Sequence, residues 1–97
     1  MAGSSKSTFE VTIVASDRPV WTGRARSASV PATEGAMGIL PDHEPVLVLT
    51  SKGTLSVVGE DGRHTDFPVS EGFVSFDSNK LTVAVDRCDG GESQADR

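Results

Sequence analysis

The sequence predicts an all-β fold, an antiparallel sandwich or barrel. Three observations carry that expectation. Short runs of β-branched and aromatic residues alternate with polar ones at period two. Turn signals rich in Gly, Asp, Asn and Pro separate these runs roughly every ten residues. No stretch longer than about two turns carries the 3.6-residue period of an amphipathic helix.

The elements follow in order. Residues 9–13 (FEVTI) alternate apolar and polar, the mark of a half-buried strand. Ser7 and Glu10 have capping-box spacing, but the β-branched alternation after them argues against a helix. Asp17-Arg18-Pro19 reads as a turn. Val20-Trp21-Thr22 is a short strand that Gly23 stops. Residues 24–30 alternate again, with Ala28 and Val30 on one side, Arg24 and Arg26 exposed, and Pro31 ending the run. Residues 32–45 read as irregular, punctuated by Gly35, Gly38, Pro41 and Pro45 yet carrying Met37, Ile39 and Leu40. Strands then follow at 46–50, 54–58, 63–69, 72–76 and 81–85. The turns between them include Ser51-Lys52-Gly53, the Asp61-Gly62 pair favoured in tight hairpins, and Asp77-Ser78-Asn79-Lys80.

Residues 46–49 are apolar on both faces, where a two-layer sandwich needs only one. Two readings follow. Either the strand is locally buried under a loop or sheet edge, or Val46 and Val48 belong to a face that a partner covers.

Length and charge bound the function. The chain has 97 residues, enough for one domain with one modest core. A 36% apolar content with 10 glycines fits a folded chain. The net charge of −5 disfavours binding to nucleic acid or to an anionic membrane surface, which need a clustered positive face. The single Cys88 closes no internal disulfide and builds no thiolate zinc site, which fits a reducing cytosol. No run approaches the roughly 20 apolar residues of a membrane span, and the polar start is no secretory signal. The expected organisation is a flexible arm over 1–8, a folded domain over 9–88 and a disordered acidic tail over 89–97.

Little chemistry is legible. His43 and His64 lack the ligand spacing of a metal site. His64 reads as a surface residue. His43, between Asp42 and Glu44, reads as bracing its loop or touching a partner. No Lys-Ser/Thr follows Gly35-Ala36-Met37-Gly38, so it is not a phosphate loop. Cys88 reads as an inert thiol and Trp21 as a core or sheet-rim anchor.

The irregular segment carries a resemblance. Residues 34–46 (EGAMGILPDHEPV) resemble the sequence that marks the epsilon subunit of bacterial F-type ATP synthases. The pattern there is G-x-x-G-I-x-P-x-H-x-P followed by an aliphatic strand, and Gly35, Gly38, Ile39, Pro41, His43 and Pro45 match it. Val20-Trp21-Thr22-Gly23 and the runs at 69–74 and 81–85 resemble flanking parts of the family in the expected order.

The resemblance implies a β-sandwich of roughly ten strands acting as a non-catalytic rotor subunit in the central stalk. Its implied partners are the gamma subunit and the c-ring, at the cytoplasmic face of the cell membrane within the F1 sector. No cofactor is implied. Ala36, Asp42 and His43 would face the c-ring. Gly35, Gly38, Pro41 and Pro45 would shape the loop, with Gly35 and Gly38 in backbone conformations that a Cβ would penalise. Val46 and Val48 would meet gamma. Two departures stand out. Many members carry an acid where this chain has Ala36, and typical members continue into a C-terminal pair of helices for which this sequence shows no pattern. The expectation is therefore no self-inhibition by a helical arm and no direct nucleotide binding. The face made for gamma could self-pair, giving a homodimer of the isolated chain. A standalone β-sandwich protein-binding module is the alternative function, and a small enzyme is the least supported.

Overall fold

The computed structural model describes residues 7–16 and 18–88, and the backbone of 92–93. Among these residues there are nine strands and no helix: β1 (Phe9–Ala15), β2 (Arg18–Ala32), β3 (Gly35–Ile39), β4 (Val46–Thr50), β5 (Gly53–Gly59), β6 (His64–Val69), β7 (Gly72–Asp77), β8 (Lys80–Val85) and β9 (Glu92–Ser93). They hydrogen-bond in the order β1-β8-β7-β4-β2-β5-β6-β9, with β3 added on β2. Because β1 also pairs with β2, the sheet returns on itself. The first half of β2 lies against β1, and its second half pairs with β5, β3 and, at Ala32, β4. A strand shared in this way ties the two layers together through continuous backbone. All pairs are antiparallel except β1 on β8.

The sequence expectations meet this fold with several differences. The strands number nine among the described residues where roughly ten were expected. The short strand at 20–22 and the run at 24–30 are one strand, because Gly23 does not stop it. A Cβ at Gly23 would lie only 2.5 Å from the Trp21 ring, so this glycine makes room for the indole to lie along its own strand. The ring then reaches Phe67 at 5.5 Å, and Trp21 anchors the rim of the core. Pro31 does not end the strand either. It sits one residue from the end, where a missing N–H is tolerated, and its carbonyl accepts a hydrogen bond from the Ser51 N–H at 2.7 Å. The segment expected to be irregular contains β3, which forms a hairpin with β2 around Thr33-Glu34. The turn expected at 17–19 gives way to strand from Arg18, and Asp17 lies outside the described residues.

A bulge explains the burial phase of β2. The β2–β5 register shifts between Ala25 and Ser27. Strict alternation would put Arg24, Arg26, Ala28 and Val30 on one face. The extra residue resets the phase, so Arg24 and Arg26 face solvent while Ala25, Ala28 and Val30 face the core.

The core lies between the layers. Phe9, Phe67, Phe76, Ile13, Ile39, Leu55 and Leu81 are fully buried. Phe9 and Phe76 meet edge to face at 5.5 Å, a favoured geometry for aromatic quadrupoles. Cys88 is buried and bridges to Val69 through the backbone. The expected arm and tail lie mostly outside the described residues. Within them, the Arg24 Nε–H donates to Thr8 Oγ1, and the backbone of 92–93 pairs with β6.

Candidate functional site: an apolar sheet face and a braced corner

Two surface features are built by neighbouring strands. The first is the outer face of the β4-β7-β8-β1 layer. Val46 lies opposite Phe76 and Val48 opposite Val74, so both valines share the inward face of β7 and pack half-buried against the core. Their neighbours Leu47 and Leu49 must then point outward, since side chains alternate along a strand. They are 71% and 66% exposed. Leu49 lies opposite Phe73, itself 47% exposed; Phe73 lies opposite Ala84, and Ala84 opposite Val14. One uncharged row thus crosses four strands. The next row runs Leu47, Ser75, Thr82, Thr12, again uncharged. Charges return at the border, where Asp77, Lys80 and Glu10 align and the Lys80 ammonium lies 4.0 Å from the Glu10 carboxylate. This differs from the patterning inference for β4: the residues with open apolar faces are Leu47 and Leu49, and Val46 and Val48 support them from beneath. The register against β7 is the reason.

The second feature is the corner after β3. The His43 N–H donates to the Leu40 carbonyl at 3.1 Å, closing a turn with Pro41 and Asp42 at its centre. Proline presets the first central position. Asp42 has φ 69°, the left-handed conformation that a type II turn requires at the second. The β7–β8 turn has Ser78 at φ 51° and Asn79 at φ 57°, the type I′ pattern of tight hairpins. The two turns grip each other. The Asp42 N–H donates to Asn79 Oδ1 at 2.6 Å, and Asn79 Nδ2 donates to Asp42 Oδ1 at 2.9 Å. The Asn79 carbonyl in turn accepts from the Glu10 N–H of β1 at 2.9 Å. His43 lies beside this joint, its ring edge-on to Phe76 at 5.9 Å. Its Nδ1 lies 2.8 Å from the Glu44 carbonyl. A carbonyl only accepts, so the contact places the proton on Nδ1.

The residues singled out in the sequence therefore divide. Asp42 and His43 come together at this corner, with Pro41 setting the turn before them. Ala36 stands exposed at the opposite end of β3, roughly 13 Å away by strand rise over the intervening residues. Gly35 has φ +123°, a conformation that favours glycine. Gly38 has no such need: it lies in extended strand opposite Ser29, and a Cβ there would meet nothing within 4 Å. Pro45 is exposed and leads into β4. A groove of about 440 Å³ lies between the hairpin at 32–37 and β4 at 47–49, so it adjoins the Leu47 and Leu49 ends of the two rows.

Sequence reasoning missed Leu47, Leu49, Phe73 and Asn79. The double apolar pattern at 46–49 signalled two faces without saying which was open. The Asn in a Ser-Asn turn signalled a left-handed residue, but its tertiary contact with Asp42, 37 positions away, leaves no local trace. Among the described residues no group of three or more His, Cys, Asp or Glu could hold a metal ion.

Comparison with known proteins agrees with this architecture. The family model described as "ATP synthase, Delta/Epsilon chain, beta-sandwich domain" matches residues 8–90. The ATP synthase epsilon chain of Corynebacterium glutamicum is 38% identical over 77 residues, 78% of this chain and 62% of the relative. That of a Synechococcus strain is 35% identical over 85 residues, 88% of this chain and 61% of the relative. The chain thus spans about three fifths of the length of these relatives. Among solved structures, a chain of the Euglena gracilis mitochondrial ATP synthase OSCP/F1/c-ring assembly superposes with a TM-score of 0.81 at 20% identity, over 86% of this chain and 53% of that one. A chain of the Tetrahymena thermophila mitochondrial ATP synthase central stalk and c-ring gives 0.70 at 17% identity, over 88% and 68%. At these identities the superpositions speak for the fold.

Proposed function

From the premise that this chain belongs to the delta/epsilon β-sandwich family of ATP synthase, we propose that it is a non-catalytic rotor part of a proton-translocating F-type ATP synthase. It joins the gamma subunit to the c-ring, peripheral to the membrane at its cytoplasmic face. The single observation that carries the reading beyond family membership is the uncharged face crossing β4, β7, β8 and β1, with Leu47, Leu49 and Phe73 open on it. These three are large apolar side chains that stand open together, the kind of patch that marks an interaction surface. Gamma covers this face. Val46 and Val48, assigned to gamma from patterning alone, act from below by holding β4 on the core.

The c-ring-facing part is the segment from the β2–β3 hairpin to the corner. Ala36 stands at the hairpin end; Asp42 and His43 stand at the corner end. Gly35, Pro41 and Pro45 set the path between them, while Gly38 contributes a side-chain-free surface over which a partner can approach closely.

A part of this kind transmits torque by resisting deformation. The self-closing ladder, the shared strand β2 and the close-packed core supply that resistance, because packed interiors have low compressibility. The chain needs no reacting group for the task.

The test is calorimetric titration of the folded chain with its cognate gamma subunit, followed by binding of the pair to purified c-ring. A one-to-one complex with gamma that then captures the ring is expected. A folded chain that binds neither overturns the rotor reading and leaves a standalone protein-binding module.

A further inference from the structure

We propose that Asn79 and Asp42 form a positioning latch for the motif corner, holding Asp42 and His43 in their docking geometry before any partner arrives. This rests on the reading of the corner as part of the c-ring-facing segment. The two side chains face each other with complementary groups. Asn79 Oδ1 accepts the Asp42 N–H at 2.6 Å, while Asn79 Nδ2 donates to Asp42 Oδ1 at 2.9 Å. The pair spans 37 residues of sequence, so it is a tertiary lock and not part of either turn's own geometry. Both residues sit at positive φ, 69° and 57°. L-residues rarely hold that conformation unless their surroundings fix it, and Asn and Asp are the side chains that bear it best.

Asn79 is also the point at which three segments meet. Its side chain holds the motif turn, its carbonyl accepts from Glu10 at the start of β1, and its own turn joins β7 to β8. Phe76, three residues earlier on β7, supports the His43 ring. The turn that carries the latch therefore follows directly on the strand that supports the corner. A loop ordered in advance loses less conformational entropy on docking, and so binds more tightly than the same loop left free.

The chemistry of the pair allows an exchange test. In Asp42→Asn the amide oxygen still accepts from Asn79 Nδ2, so the latch survives. In Asn79→Asp two carboxylates face each other, and the latch opens. The double variant combines Asp42→Asn with Asn79→Asp. There the amide introduced at position 42 donates to the carboxylate introduced at position 79, and the backbone N–H of position 42 keeps its acceptor. The latch is restored with its polarity reversed. Asn79→Ala removes the side chain without adding charge.

Two readouts are taken on the full chain: amide hydrogen exchange at positions 42 and 43, and affinity for the c-ring of the chain bound to gamma. Exchange at position 42 should speed up on the order of tenfold in Asn79→Ala and Asn79→Asp, while amides of β5 and β8 stay protected. It should stay slow in Asp42→Asn and return to slow in the exchanged double variant. Ring affinity should fall in Asn79→Ala and Asn79→Asp relative to the unaltered chain, and the double variant should bind the ring like Asp42→Asn, which presents the same residue at position 42. Unchanged exchange in Asn79→Ala, or no rescue by the double variant, overturns the latch. Faster exchange with unchanged ring affinity overturns its positioning role. If the unaltered chain does not bind the ring at all, the c-ring reading has failed, and the exchange data still decide whether the latch exists.

Discussion

Serine substitutions along β4 should separate the partner face from the core. Fully burying a leucine side chain is worth about 1.5–3 kcal/mol. Leu47 is 71% exposed and Leu49 66%, so a covering partner gains about two thirds of that figure at each, roughly 1–2 kcal/mol. Leu47→Ser or Leu49→Ser should therefore weaken gamma binding about 5- to 30-fold, taking about 1.4 kcal/mol per tenfold. The free chain should barely register either change, since substitutions on an open surface usually stay within about 0.5 kcal/mol. Val48→Ser should do the reverse. Val48 is half-buried on the core opposite Val74, so losing its methyl contacts and burying a hydroxyl costs about 1–2 kcal/mol of folding stability. At about 4–8 °C per kcal/mol for a domain of this size, the melting temperature should fall visibly while gamma affinity stays close to normal. Calorimetric titration and thermal unfolding on the same samples decide the matter. Leucine variants that bind gamma undiminished, beside a Val48→Ser that loses binding at unchanged melting temperature, would refute the reasoning and restore Val46 and Val48 to the partner face.

Further substitutions test the packing. Gly72→Ala should destabilise by about 3 kcal/mol or more in denaturant melts, because its Cβ would run into the Ala84 carbonyl oxygen and lie 2.5 Å from Val85 Cα, both backbone atoms of the paired strand β8. Thr50→Val should stabilise by roughly 1 kcal/mol, since Thr50 is buried and its Oγ1 has no hydrogen-bond partner, so an isosteric methyl relieves an uncompensated desolvation; a drop in melting temperature would mean that the hydroxyl is satisfied. Gly35→Ala should cost about 1 kcal/mol or more at φ +123°, while Gly38→Ala, with extended backbone and open space, should leave the fold unchanged or slightly firmer. The last comparison corrects the expectation that Gly38 is held by its backbone; any damage from Gly38→Val should appear in ring binding and not in the melting curve.

Much of this fold was legible because period-two patterning survives wherever one face is buried. The strands at 9–15, 46–50, 53–59, 64–69, 72–77 and 80–85 lie close to where alternation and turn chemistry put them. The misreadings share a cause. Gly23 and Pro31 are strand breakers by local preference, yet β2 runs through both, because tertiary packing uses the glycine to seat Trp21 and places the proline near the strand's end. β3 was hidden because two of its five residues are glycine, which carries no pattern. For the site, sequence marked the loop but could not orient β4. Four aliphatic residues in a row fit either phase, and only pairing with β7 chooses one.

That choice bears on how the two surface features work together. β7 presents Phe73 outward to the apolar face and, three residues on, Phe76 inward beneath the His43 ring. One continuous ladder joins β4, β7, β8 and β1, and the β7–β8 turn at its end carries Asn79. A load applied by a partner on Leu49 and Phe73 therefore enters the strand that supports the corner, without crossing a flexible loop. Stiffness along that path comes from elements of different kinds: main-chain hydrogen bonds across β4, β7 and β8, the edge-to-face contact of Phe9 with Phe76, and the side-chain latch at the end. Weakening the latch should loosen the corner while leaving the apolar face intact, and weakening the apolar face should leave the corner ordered. A chain in which either change disrupted both would not be built as two docking surfaces on one rigid strand.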